Sequence, residues 1–163
     1  MANAFFLKID GITGESEDEA HKGWLEITEF GQEMQHDIEG GGTPSAAGGF
    51  STGGATIEVM SFNKAMDRSS VQLFQYCLTA KVIPTITIEA VRPTEKAEVY
   101  FRITLTNSII ASINTTGSDG ELPTEEGSIA FTTIKWEYTM VKPDGKMGDT
   151  FSSTWNRLTN RQT

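Results

Sequence analysis

Strict alternation of apolar and polar positions runs through much of the chain. In "EVYFRITLTNSI" (98–109), Val99, Phe101, Ile103 and Leu105 share one face, while Arg102, Thr104 and Thr106 share the other. That is the pattern of a strand with one buried side. "TITIEAV" (85–91) and "GSIAFTTIKWEYTMV" (127–141) are equally rich in β-branched and aromatic residues. In the last segment the apolar parity changes, from odd at Ile129 and Phe131 to even at Ile134, Trp136, Tyr138 and Met140. A slip of one residue around Thr132 and Thr133 is what a β-bulge produces, and bulges bend strands where a sheet curls or closes. Near the amino end, "KIDGITGESEDEAHKGWLEITEF" (8–30) opens as a strand, breaks into a run of acids and returns to a strand at Trp24.

One segment has a helical period. Ser69 followed by Gln72 has capping-box spacing, and Val71, Phe74 and Leu78 recur on one helical face before Pro84 prevents continuation. The spacing predicts one helix over about 69–81, able to plug or cover a barrel. "GTPSAAGGFSTGGA" (42–55) is too glycine-dense and too poor in apolar residues for a core element, and predicts an exposed loop over about 40–55. "TTGSDGELPTEEG" (115–127) predicts a second loop, with Asp119-Gly120 suited to a turn. No internal repeat is visible. The expected fold is mainly β: a β-barrel with one flanking helix, forming a single domain over residues 1–163. Trp24, Phe101 and Trp136 are the expected core anchors, each costing roughly 3–5 kcal/mol on truncation to Ala.

Charge adds what the periodicity does not. The chain carries 13 Lys and Arg against 22 Asp and Glu, a net charge of -9. Residues 10–40 hold ten of those acids and one base, Lys22, so the whole imbalance lies there. Such a balance argues against nucleic-acid binding, which needs clustered Lys and Arg. No stretch approaches the roughly 20 apolar residues of a membrane span, so no membrane insertion is expected. Only Phe5, Phe6 and Leu7 precede Lys8, which leaves no apolar core for a cleaved secretory signal. The single cysteine, Cys77, excludes an intrachain disulfide and a multi-cysteine metal site.

Candidate chemistry is sparse. Gly14-Glu15-Ser16 invites comparison with the nucleophile elbow G-x-S-x-G, but position 18 is Asp and a strand follows instead of a helix. The neighbouring carboxylates would also oppose a developing oxyanion. Glu15, Glu17, Asp18 and Glu19 lack the ligand spacing and turn glycine of a calcium loop. His21 and His36 have no third histidine or cysteine to complete a zinc set. The glycine loop lacks the Lys-Ser or Lys-Thr of a phosphate-binding loop. No catalytic residue, metal site or cofactor site is therefore assigned. What remains is interaction: an acidic N-terminal third and a modestly basic tail, with Lys142, Lys146, Arg157 and Arg161 against Asp144 and Asp149. Unlike faces on one subunit suit head-to-tail contacts, which close into rings when the rotation permits.

"FLKIDGITGESEDEAHKGWLEI" (6–27) resembles the opening signature of the Hcp family, the haemolysin-coregulated tube proteins of bacterial type VI secretion. The resemblance continues through "SFNKAMDRSSVQLFQYCLTAK" (61–81), "LPTEEGSIAFTTIKWEYTM" (122–140) and Trp155-Asn156. It implies a barrel with one flanking helix, a homo-hexameric ring with a wide channel, and rings stacked into the tube that a sheath drives out of the cell. Effector cargo in the lumen, a tip spike protein and sheath proteins are the implied partners, with no enzymatic activity. The implied location is the bacterial cytoplasm before firing and the exterior or a target cell afterwards. Contacts between subunits or stacked rings are expected at Glu15, Glu17, Asp18 and Glu19, and at Thr43 and Phe50 of the loop reaching the neighbouring ring. After Phe30 the family often has Ser, an aromatic and Gly; here the segment is Gly31-Gln32-Glu33. The competing expectation is a monomeric ligand-binding β-barrel, with an apolar pocket lined by its own strands.

Overall fold

A computed structural model describes residues 4–38, 49, 52–94 and 96–163. Twelve strands and one helix are found among them. The central sheet is antiparallel and runs β12(Arg161–Gln162), β11(Met147–Asn156), β10(Thr133–Val141), β8(Val99–Thr116), β7(Ile83–Val91), β1(Ala4–Ile9), β2(Leu25–Ile27). A second branch leaves β8 through β9(Thr124–Ala130) to β6(Met60–Ala65) and β3(Glu29–Gly31). The helix is α1(Ser70–Thr79). The mainly β expectation therefore holds, but the barrel is not closed by one unbroken ladder. β2 pairs β1 and β3 pairs β6, so the wall passes from one branch to the other through the chain at Thr28, whose N–H donates to the Asn63 carbonyl at 2.8 Å.

Period two explains the core. Leu7, Ile88, Ile103 and Trp136 are successive cross-strand partners, as are Ile9, Ile86, Leu105 and Ile134. Except for Trp136, these are essentially fully buried, and they belong to one hydrophobic cluster with Phe62, Met60 and Leu73. The parity change in 127–141 falls between β9 and β10, and β8 shows a matching change. Its buried positions go from Ile103 and Leu105 to Ser108 and Ile110. The two changes face each other, where the Thr132 hydroxyl donates to the Asn107 carbonyl at 3.0 Å. Asn107 has φ 49°, left-handed backbone that an Asx residue tolerates. The expected bulge is thus a shared bend that turns one long strand from the first branch to the second.

Three expectations need correction. Trp24, Phe101 and Trp136 are half-buried rather than central. Trp24 has the opposite parity to the buried Leu25 and Ile27, which puts it on the outer face, whereas Phe101 and Trp136 pack against the rim of the cluster. The largest fully buried aromatic is Phe62, in a segment whose sequence reads as half polar. The helix face also differs. Val71 and Leu78 are 72% and 87% exposed, and Ser70 and Leu73 are buried, with Tyr76 and Cys77 packed against the core. The capping box does not form: Ser69 has no side-chain bond to the helix, and its hydroxyl pairs with Asp67. The cause is the buried cluster at the helix start, which fixes its rotation. Finally, the glycine-dense segment is in part a strand, because β5(Thr52–Ile57) pairs β4(Met34–Ile38) in a separate two-stranded arm.

Candidate interaction surface

The acidic segment 10–24 folds back on itself by backbone bonds. Gly14 N–H donates to Gly23 carbonyl at 2.7 Å, Ser16 N–H to Trp24 carbonyl at 3.1 Å, and Gly23 N–H to Ser16 carbonyl at 2.9 Å. A Cβ on Gly14 would lie 2.4 Å from the Trp24 carbonyl oxygen, so this approach requires glycine. Ser16 is buried, and its hydroxyl accepts from Asp18 N–H at 3.2 Å, which makes it a local turn residue. Glu15, Glu17 and Glu19 are exposed and Asp18 is half-buried. Thr43 and Phe50 lie outside the described residues.

His21 fastens this segment to the sheet. Its ring stacks on Phe6 at 4.2 Å and meets the Trp24 ring edge-on at 4.8 Å. Nδ1 lies 2.7 Å from Asp18 Oδ1 and Nε2 lies 3.0 Å from Glu89 Oε2. Beneath it, Glu26, Phe6, Glu89, Arg102 and Glu137 are direct partners across five strands. Arg102 Nε donates to Glu89 Oε1 at 3.1 Å and its Nη1 to Glu137 Oε2 at 3.2 Å, and Lys135 Nζ lies 2.9 Å from Glu137 Oε1. The hydrogen bond from His21 holds the Asp18 carboxyl below its ordinary range. The hydrogen bond from Lys135 holds the Glu137 carboxyl low in the same way, against burial, which acts in the opposite direction, and Arg102 adds to the lowering. Burial works to lower the Arg102 value, but Glu89 and Glu137 together raise it. The result is a charge row across the outer face, and its signal in the sequence was Glu89 and Arg102 at polar positions of alternating strands.

The inner face is uncovered at one end. Phe5, Ala90, Phe101, Tyr138 and Phe151 form a cross-strand row whose exposure grows outward, with Tyr138 at 49% and Phe151 at 57%. Next to it the β4–β5 arm and the β10–β11 pair enclose an apolar groove of ≈ 330 Å³ that includes Met34, Ile57, Trp136 and Trp155. Gln32 accepts the Trp136 indole N–H at 2.9 Å, at the base of the arm. An isolated two-stranded arm is at best marginally stable in water, so it depends on such contacts. Periodicity alone could not show that β10 and β11 outrun the core, because Tyr138 and Phe151 have the correct core parity. Within the rolled sheet the space is filled by Ile86, Ile88, Ile103, Leu105 and Ile134, which argues against a ligand-holding barrel.

The model of a family described as "Type VI secretion system effector, Hcp" matches residues 6–138. The chain is 30% identical to Protein hcp1 of Pseudomonas aeruginosa, over 99% of each. Its backbone is similar to a structure of a type six secretion system protein, with a TM-score of 0.91, 26% identity and coverage of 99% of this chain and 100% of the other. It is also similar to Hcp1 from Salmonella typhimurium, with a TM-score of 0.79, 31% identity and full coverage of both chains.

Proposed function

The chain belongs to the Hcp family of type VI secretion, and from that premise we propose that residues 1–163 act as one tube domain, six copies closing into a ring and rings stacking into a conduit. The observation that carries this reading is the match over the full length of Hcp relatives, in sequence and in backbone.

The surface supports it in two ways. Tyr138 and Phe151 leave an apolar row uncovered beside the groove of the arm, and apolar surface of this kind suits an obligate neighbour. The exposed Glu15, Glu17 and Glu19, with Asp18 beside them, give an acidic rim able to set the register between stacked rings. The arm that leads into the segment of Thr43 and Phe50 reaches the next ring. In this reading the protein is non-catalytic. Effectors travel in the channel, a spike protein caps the tube and sheath proteins surround it. The subunit leaves the bacterial cytoplasm with the tube.

Native mass spectrometry and end-on electron microscopy of the purified full chain test the assembly. Rings of six are expected, with each interface burying more than about 1,000 Å². Monomers alone across the micromolar range would overturn it.

A further inference from the structure

We propose that His21 is a proton-operated latch, which holds the acidic segment 10–24 closed on the sheet while both its ring nitrogens carry protons and releases it when one is lost.

The geometry is the reason. Both nitrogens face carboxylate oxygens, Nδ1 at 2.7 Å from Asp18 and Nε2 at 3.0 Å from Glu89. A carboxylate only accepts, and a neutral imidazole has one N–H, so both bonds exist together only in the doubly protonated ring. The ring is 1% exposed, packed between Phe6 of β1 and Trp24, with no room to turn aside while the segment is closed.

The surrounding charges decide which bond fails first. On β7, Glu89 is shared with Arg102 of β8, which in turn reaches Glu137 of β10 and, through it, Lys135. On β1, Lys8 lies over the outer ring, Trp24, at 5.8 Å. Glu89 therefore keeps a cation when His21 becomes neutral. Asp18 does not: among the described residues His21 is its ion partner. The remaining N–H stays on Nε2 toward the buried Glu89, whose side chain is 9% exposed, and the proton leaves Nδ1 for solvent past Asp18, whose side chain is 30% exposed. A lone pair then faces a carboxylate, and Asp18 swings outward. The segment opens from Asp18 toward Trp24, which frees the bonds of Gly14, Ser16 and Gly23. The latch acts within a single chain and needs no ring.

The test is nuclear magnetic resonance on the isotope-labelled full chain between pH 5 and 9. Imidazole ¹⁵N shifts are followed alongside amide protection of Gly14, Ser16 and Gly23, corrected for intrinsic exchange. His36, exposed on β4, is the internal reference. At pH 5 both His21 nitrogens should be protonated. As the His21 resonances titrate, the three amides should lose protection together, by up to about tenfold per pH unit for one coupled proton. In Asp18→Asn the side-chain amide can donate to a neutral Nδ1, so protection should persist to pH 9. A single protonated nitrogen at pH 5, or native protection that does not change through the titration, overturns the latch. Loss of protection in Asp18→Asn at the same pH as in the native chain overturns the role of Asp18.

Discussion

Lys64 Nζ lies 3.2 Å from Glu125 Oε1, with both side chains fully buried, and the two residues are direct partners across β6 and β9. Asp67 lies 3.0 Å from the same ammonium, and the Ser70 hydroxyl bonds Glu125, so the pair ties the second branch of the sheet to the start of α1. Taking one partner away leaves a buried charge without its counter-ion. Lys64→Met should therefore cost roughly 3–5 kcal/mol in urea unfolding, and the double change Lys64→Met with Glu125→Leu should recover part of that loss. A single-substitution cost near zero would show that water reaches the site.

Helix rotation predicts a contrast between two leucines. Leu73 is fully buried and Leu78 is 87% exposed. Leu73→Ala should cost about 2–5 kcal/mol, and Leu78→Ala should remain within roughly 0.5 kcal/mol. A larger cost at Leu78 than at Leu73 would mean that the face expected from Val71, Phe74 and Leu78 is the one that packs.

Gly127 is held against Phe62. A Cβ there would meet the ring at 2.4 Å, and the ring is fully buried. Gly127→Ala should destabilise by about 1–3 kcal/mol, and Phe62→Leu in the same chain should relieve part of it. Additive losses in a double-mutant cycle would argue against direct contact.

Acid should weaken the sheet row. The Glu137 carboxyl is held below its ordinary value of 4.5. A depressed carboxyl contributes stability that is present above the ordinary value and lost as pH falls through the lower folded one. Thermal unfolding should show a decline below about pH 4.5 that Glu137→Gln makes shallower. A variant with the native slope would place the acid sensitivity elsewhere.

Reversing the exposed acids probes ring stacking. Glu15→Lys with Glu17→Lys and Glu19→Lys should leave rings intact and change tube length and its salt dependence, since exposed charges contribute only about 0–1 kcal/mol each. Tube length insensitive to both salt and reversal would remove the acidic rim from the stacking contact.

The strands were largely legible because period two is a local property. Ile103 and Leu105 needed only their neighbours to be identified as core. The turn at Asp119-Gly120 was legible for the same reason, and Gly120 has φ 82°. The helix face was not, because its rotation is set by Lys64, Asp67 and Glu125, two of which come from strands. Trp24 was misplaced by size: a large aromatic suggests the core, but its parity puts it beside His21. The acidic cluster was visible as charge alone. Its fastening through His21 to Glu89, 68 positions away, depends on a strand pairing that no local pattern encodes.

β8 gives the molecule a mechanical spine. Its first part is bonded to β7 and β10, and its second part to β9. Pulling the two branches apart along this strand would load its ladders in shear, with many bonds strained together instead of being peeled one at a time. The left-handed residue Asn107 marks where the spine changes direction. A load passed from one branch to the other along this strand runs through covalent backbone and through Asn107.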